Sequence, residues 1–172
     1  MANDKIEKTN LEEIELTEEE NKGQLRTYED DILKGLLAAA NYKAEEDNIH
    51  PIEIARNGVV LFKFRIRPLG EEEYQACKEK YTKYVRNKQL GIKFPEHTDT
   101  VRYRSALIYQ ATVDEDRAKI WDNKNAWKAL NVLNGIDLID RTLLAGEKDA
   151  VLELIDKISG YSVTAEETAK NS

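Results

Sequence analysis

The sequence predicts a mainly α-helical domain that carries one small β-hairpin, an α-rich α+β fold. Apolar residues recur at steps of three and four over most of the chain, and they alternate at a step of two only over residues 59–67. Hydrophobic residues make up 41% of the 172, enough for one core. We therefore expect a compact helical domain over residues 27–161, a mobile acidic arm over residues 1–26 and a short polar tail over residues 162–172.

Most of the negative charge lies at the N-terminus. Residues 1–30 hold ten acidic and four basic groups, a net charge of 4 − 10 = −6, whereas the whole chain carries −7. The few apolar side chains of the arm bury too little surface to offset the entropy of ordering it. We expect the arm to increase solubility rather than to fold.

A first helix is predicted near residues 28–42, with Thr27 as its N-cap. Leu33, Leu36 and Leu37 share its apolar face. We predict that these leucines contact a protein partner, and the alternative is that they pack in the core of the domain.

A β-hairpin is predicted near residues 52–67. Its second strand shows a strict alternation, in which Val60, Phe62, Phe64 and Ile66 are separated by Leu61, Lys63 and Arg65. The dipeptide Asn57-Gly58 before it is typical of a tight hairpin turn. The short run Ile52-Glu53-Ile54 is therefore predicted as the partner strand, and Pro68 ends the hairpin.

Helices are predicted over the rest of the domain. Gly70 and the acidic run after it are typical of a helix start, and Gly160 stands where a left-handed residue ends the last helix. A loop with Pro95 is expected over residues 91–98. The predicted helices are residues 71–88, 99–112, 126–130, 136–144 and 147–158.

The residue types that usually carry catalysis or bind metals are few and scattered. His50 and His97 are 47 residues apart and are predicted to lie at the surface. Cys77 is the single cysteine, which is typical of a reducing cytoplasm, and its helical spacing places it in the core. The run Asp114-Glu115-Asp116 is interpreted as a helix start rather than a cation site. We predict no catalytic residue, cofactor, metal or small-molecule substrate.

One segment differs in charge from the rest of the chain. Residues 78–93 carry a net charge of +5 and include Tyr81 and Tyr84. Cations interleaved with aromatic rings can follow single-stranded nucleic acid. We favour a solvated helix with the tyrosines turned inward, and the same basic face could receive the acidic arm. The negative charge of the whole chain disfavours general binding to nucleic acid or to an anionic membrane.

The two tryptophans, Trp121 and Trp127, are the largest apolar side chains. Each is expected either to anchor the core or to contact a partner. Leu130 and Asn131 are helical neighbours of Trp127, so we assign Trp127 to the core and predict Trp121 as a partner contact.

The order of the segments is similar to that of a known family. The segments that carry this resemblance are Phe62-Lys63-Phe64-Arg65-Ile66-Arg67-Pro68-Leu69, Glu71-Glu72-Glu73-Tyr74, Arg102-Tyr103-Arg104-Ser105-Ala106-Leu107-Ile108-Tyr109-Gln110-Ala111-Thr112-Val113, Ile120-Trp121-Asp122-Asn123, Leu143-Leu144-Ala145-Gly146-Glu147 and Ile158-Ser159-Gly160-Tyr161. Over residues 59–161 the chain resembles the XkdN-like tail assembly chaperones of contractile-tailed bacteriophages and related prophages of Gram-positive bacteria. It departs from the family pattern at Gly70, where Ser or Thr is expected, and at Ala145, where Pro is common.

The resemblance implies a non-enzymatic protein that acts in the cytoplasm of the bacterial host and is absent from the finished virion. Its implied partner is the tape-measure protein, whose apolar surface it would keep soluble, with the tail-tube protein as a second partner during polymerisation. The alternatives are a structural component of the tail or baseplate and a nucleic-acid-associated protein. Self-association is left open.

Overall fold

The computed structural model describes residues 31–161, and the chain divides into two units between Tyr42 and Lys43. The predicted acidic arm, the N-cap predicted at Thr27 and the predicted polar tail lie outside the described residues. Helices dominate, and the strands form two small antiparallel sheets. The prediction of an α-rich α+β fold is confirmed.

The described part of the first unit is helix α1, Ile32–Asn41. Asp31 is its N-cap, and its carboxylate accepts a hydrogen bond of 3.1 Å from the backbone N–H of Lys34. This cap fixes the start of the helix four residues after the predicted start at residue 28.

The second unit begins with the predicted hairpin. Strand β1, His50–Arg56, pairs with β2, Val59–Ile66. Asn57 and Gly58 both have positive φ, of 53° and 78°, as a two-residue type I′ turn requires. β1 is longer than predicted and includes Pro51, which lies near the start of the strand, where proline is tolerated.

A second hairpin stands where the sequence predicts a helix and a loop. Helix α2 spans Glu71–Lys80, and the prediction that it continues to residue 88 is wrong. The chain leaves the helix at Tyr81 and forms β3, Thr82–Arg86, which pairs with β4, Lys93–Thr98. β-Branched and aromatic residues such as Thr82, Tyr84 and Val85 favour extended backbone over helix.

The C-terminal helices follow the predicted order. They are α3, Thr100–Ala111; α4, Asp114–Asp116, continued by a π-helical turn Arg117–Trp121; α5, Lys124–Leu130; α6, Gly135–Thr142; and α7, Ala145–Asp156, continued by a π-helical turn Lys157–Tyr161. Gly160 has a φ of 96°, which confirms the left-handed position predicted at the end. The acidic run at α4 starts a helical turn, as predicted.

The core of the second unit lies between the first hairpin and the C-terminal helices. Phe64 contacts the indole of Trp121 edge to face, with ring centroids 5.3 Å apart. β2 is tied to the end of α3 by the backbone, because Arg67 N–H donates to Ala111 at 2.8 Å and Val113 N–H donates to Arg65 at 3.0 Å. The buried apolar residues are Ile54, Phe64, Ile66, Leu69, Cys77, Ala106, Leu107, Ile108, Ala111, Trp121, Ile136, Leu138, Ile139, Leu143, Val151, Leu152 and Ile155. Among residues 31–161, every helix is too short or too polar to cross a membrane.

Candidate functional site

Helix α1 presents an apolar face to solvent. Ile32, Leu33, Leu36 and Leu37 share this face and are 55–67% exposed, and the helix has no buried residue. Helices of soluble proteins normally bury such a stripe. The three leucines predicted as partner contacts therefore lie together on an accessible surface, which we call the α1 face.

Trp121 does not share this exposure. It is 1% exposed, it packs between Phe62 and Phe64, and its indole N–H donates to Thr112 Oγ1 at 2.9 Å. Trp127 is half-buried, and its indole N–H donates to the carbonyl of Trp121 at 2.6 Å. The π-helical turn aims Trp121 into the core, so we withdraw it as a partner contact.

The second hairpin is a further exposed apolar surface. Neither strand has a buried residue. Its large exposed apolar side chains are Tyr84, Val85, Leu90, Ile92 and Phe94. Tyr81 is packed against the core, as predicted, but Tyr84 is 45% exposed. Sequence reasoning missed this surface, and the available signals were the run Thr82-Lys83-Tyr84-Val85 and the turn residues Asn87 and Gly91.

The pairing of β3 with β4 places an apolar pair and a basic pair on opposite faces of the hairpin. Val85 lies opposite Phe94 on one face, whereas Arg86 lies opposite Lys93 on the other, next to Tyr84. Residues 82–98 hold four basic groups and one acidic group, a net charge of 4 − 1 = +3. The hairpin is thus a basic surface in an acidic chain.

A cluster of polar side chains joins three C-terminal helices. Ser105 of α3 hydrogen-bonds to Asp140 of α6, and Lys148 of α7 donates to the same carboxylate at 2.7 Å. Ser105 is fully buried and Lys148 is 6% exposed. A hydroxyl without solvent access cannot meet a substrate, so in this conformation the cluster positions helices. The sequence analysis did not find it, since its members are 35 and 8 residues apart.

Two glutamates are held by arginines at helix starts. Glu73 in the first turn of α2 accepts from Arg67 at 2.6 Å, from the Gly70 N–H at 2.9 Å and from Gln110 at 3.1 Å. Burial acts to raise the pKa of Glu73, but these hydrogen bonds outweigh it and lower the pKa to about 2. The carboxylate thus satisfies the Gly70 N–H, and the N–H of Glu73 donates to the Gly70 carbonyl at 3.1 Å, so α2 starts without a capping side chain at Gly70.

Glu147 is bound in a similar way in the first turn of α7. It accepts from Arg56 Nε at 2.7 Å and from the Leu144 N–H at 2.7 Å, while Arg56 also donates to the carbonyl of Thr142 at 2.6 Å. The hydrogen bond from Arg56 lowers the pKa of Glu147. These contacts fasten the turn end of the first hairpin to the C-terminal helices.

The remaining candidates lie apart from one another. Cys77 is buried, as predicted, and burial raises the pKa of its thiol. His97 is exposed and His50 half-buried. Asp116 accepts from Arg65 at 2.9 Å. Over residues 31–161, no group of acidic, histidine or cysteine side chains is placed to hold a metal ion.

A cleft of about 590 Å³ lies beside α7. Tyr74, Tyr103 and Tyr161 line it, and the hydroxyl of Tyr74 donates to Asp156 at 2.8 Å. Burial raises the pKa of Tyr74, so this hydroxyl keeps its proton. Arg104 in the same cleft is paired with Asp149.

Residues 33–171 match the sequence profile of a family described as phage XkdN-like tail assembly chaperone protein. The chain belongs to this family. Neither the curated proteins nor the solved structures that were compared with the chain gave a match. The resemblance inferred from the sequence is confirmed.

In this XkdN-like chaperone, the segments that carry the family resemblance supply much of the buried core. Phe64, Ile66, Ile108, Trp121 and Leu143 come from four of those segments, and all are buried. Three of the four residues of the α1 face, Leu33, Leu36 and Leu37, and the second hairpin lie within the matched residues but outside those segments. The segments that carry the resemblance therefore do not mark a binding surface, and we use the exposure of apolar side chains to look for one.

Proposed function

We propose that this protein binds the tape-measure protein of its phage in the host cytoplasm, keeps it soluble and assists polymerisation of the tail tube around it. Its membership of a tail assembly chaperone family supports the general role. The α1 face is the observation that carries the specific proposal, because four large apolar side chains lie exposed together on one short helix.

The chemistry of the α1 face suits reversible binding to an amphipathic helix. Burying a leucine or isoleucine side chain contributes about 1.5–3 kcal/mol, so Ile32, Leu33, Leu36 and Leu37 supply enough favourable free energy to offset the ordering of a short interface. A helix that docks its apolar stripe against another apolar helix needs no catalytic group. We infer that the protein acts by binding alone.

Co-expression with the tape-measure protein tests the proposal. We expect the client to be insoluble alone and to co-elute with the chaperone in size exclusion. Leu36→Asp should abolish recovery of the soluble complex and leave circular dichroism and melting temperature unchanged, since this side chain is 63% exposed. Leu133→Asp is the matched control, because Leu133 is 85% exposed and lies in the second unit, so its complex should survive.

Two results would overturn the proposal. A client that stays soluble with Leu36→Asp, and with the double variant Leu33→Gln/Leu37→Gln, would remove the α1 face as the binding surface. Stoichiometric amounts of the protein in purified particles would instead favour a structural component of the tail or baseplate. Capture of tail-tube protein by the soluble complex tests the second partner.

A further inference from the structure

The backbone edge of β3 is available for another strand. Within the described residues, β3 and β4 pair only with each other, so each has one unpaired edge. β4 contains Pro95, which has no N–H, and its register shifts so that Glu96 bulges between two pairs. β3 has neither interruption over its five residues. An added strand would thus find regular donors and acceptors at β3.

The side chains beside that edge define the pattern of the added strand. Residues of adjacent strands that share a face contact each other, and successive residues alternate between faces. On one face Val85 is backed by Phe94, and on the other Arg86 is reinforced by Lys93. Lys83 shares the face of Val85 but is paired with Glu96, and Tyr84 shares the face of Arg86. A complementary strand therefore places apolar residues beside Val85 and acidic residues beside Arg86, at alternating positions.

Charge decides what kind of chain fits. Lys83 is paired with Glu96 at 3.2 Å, but Arg86, Lys88 and Lys93 form no ion pair with any residue that the structure describes. A second copy of the hairpin would bring +3 against +3, and like charges across an interface are unfavourable. An acidic strand would neutralise cations that are already exposed.

We propose that the edge of β3, Thr82–Arg86, binds an extended segment of a protein partner in which acidic and apolar residues alternate, and that this segment adds as a third strand. Main-chain hydrogen bonds supply affinity in such an arrangement, and the alternating side chains supply specificity. The inference does not depend on the tape-measure protein as client, since the α1 face and the β3 edge consist of different residues and each is tested by its own variants.

The test uses the full-length chain and a dye-labelled peptide of alternating Glu and Val. We expect this peptide to bind at least about tenfold more tightly than a peptide of the same composition with Glu and Val in separate blocks, and than an alternating Lys and Val peptide. Arg86→Glu should weaken binding about tenfold. Lys128→Glu, the same charge change at an exposed position of α5, should leave it unchanged. Amide exchange should slow on binding in residues 82–86.

Four other results would identify a different ligand or a different binding mode for the second hairpin, and each would overturn the proposal. Tighter binding of an oligo-dT strand than of the acidic peptide would make the hairpin a nucleic-acid surface. Dimerisation lost in Arg86→Glu would make a second copy the occupant. Peptide binding seen only after Glu13 and Glu15 are replaced by Gln would point to the chain's own N-terminal residues. Equal binding of the alternating and block peptides would exclude strand addition.

Discussion

The two hairpins differ in their turns, which span residues 57–58 and 87–92, and in their contacts with the core. Both turns contain a glycine with positive φ, 78° at Gly58 and 68° at Gly91. The first hairpin buries Phe64 and Ile66 and is joined by its backbone to α3. The second has no buried residue, and its two strands are joined at their base, where the hydroxyls of Thr82 and Thr98 are 2.8 Å apart.

The hairpin that packs against the core is the more stable one, and the hairpin that does not is the more accessible one. An isolated two-stranded hairpin is marginally stable in water. The first hairpin is stabilised because one face packs into the core, and that face is unavailable to a partner. The second keeps its edges and both faces accessible, and we expect it to open locally without unfolding of the core.

The largest expected effect comes from the same substitution in each hairpin. Phe64→Ala removes a ring that is 1% exposed, and we expect it to lower the free energy of unfolding by about 3–5 kcal/mol. Phe94→Ala removes a ring that is 46% exposed, and we expect a change below about 0.5 kcal/mol. Denaturant unfolding of both variants measures the contrast. Equal losses would show that the second hairpin is part of the core.

The same contrast explains what the sequence could predict. The first hairpin was predictable because burial of one face imposes a step of two on Phe62, Phe64 and Ile66, and Asn57-Gly58 marks its turn. The second has apolar residues on both faces, so Tyr84 and Val85 stand side by side and the step of two is lost. The helical spacing of Tyr74, Cys77 and Tyr81 therefore predicts a helix that continues past Lys80, where the helix ends in the structure.

The candidate site was predictable to a similar extent. An apolar stripe on α1 is visible in the sequence, but spacing alone cannot tell an exposed stripe from a buried one, so Leu33, Leu36 and Leu37 remained open between partner and core. Trp121 was misassigned because its direction is set by the π-helical turn Arg117–Trp121, a local widening with no sequence signal that we recognised. The cluster around Asp140 required tertiary structure.

Acid should loosen the end of the first hairpin at Glu73, which is bonded to Arg67 just after β2. Its pKa is about 2 in the folded protein against 4.5 as the ordinary value, so the unfolded state takes up the proton first. The stability from Glu73 is therefore complete above about pH 4.5 and is lost as the pH falls toward about 2.

Glu73→Gln measures this contribution. We expect a loss of about 2 kcal/mol at pH 7, after allowing for partial solvent screening, and a flatter dependence of stability on pH between 4.5 and about 2. Glu72→Gln is the control, because Glu72 is exposed on the same turn. If the stability of Glu73→Gln depended on pH as that of the unmodified protein does, Glu73 would not be the group responsible.

Replacing the turn glycine of each hairpin should give a smaller difference in stability between the two hairpins. An added Cβ meets nothing within 4 Å at Gly58 or Gly91, so alanine is disfavoured at both by the backbone conformation alone. We expect Gly58→Ala to lower the global free energy of unfolding by about 1 kcal/mol. Gly91→Ala should leave it unchanged and speed amide exchange in residues 82–98 about fivefold. A global loss in Gly91→Ala would link the second hairpin to the core.

The smallest effect is a stabilisation at Ala145, the first residue of α7. This position has no intrahelical N–H bond to lose, and Leu144 before it has a φ of −71° and a ψ of 157°, the extended backbone that a following proline requires. We expect Ala145→Pro to raise the free energy of unfolding by about 0.4–1 kcal/mol, by restricting the unfolded chain. Ala150→Pro, inside the same helix, should destabilise the protein.

Amide exchange in Ala145→Pro then distinguishes the two hairpins directly. Amides of β1 and β2 that exchange through global unfolding should slow in proportion to the added stability, about two- to fivefold. Amides of β3 and β4 should keep their rate, because their opening does not require the core to unfold. Equal slowing in both hairpins would mean that the second hairpin opens only with the core, and its edge would then be less accessible to a partner than its exposure indicates.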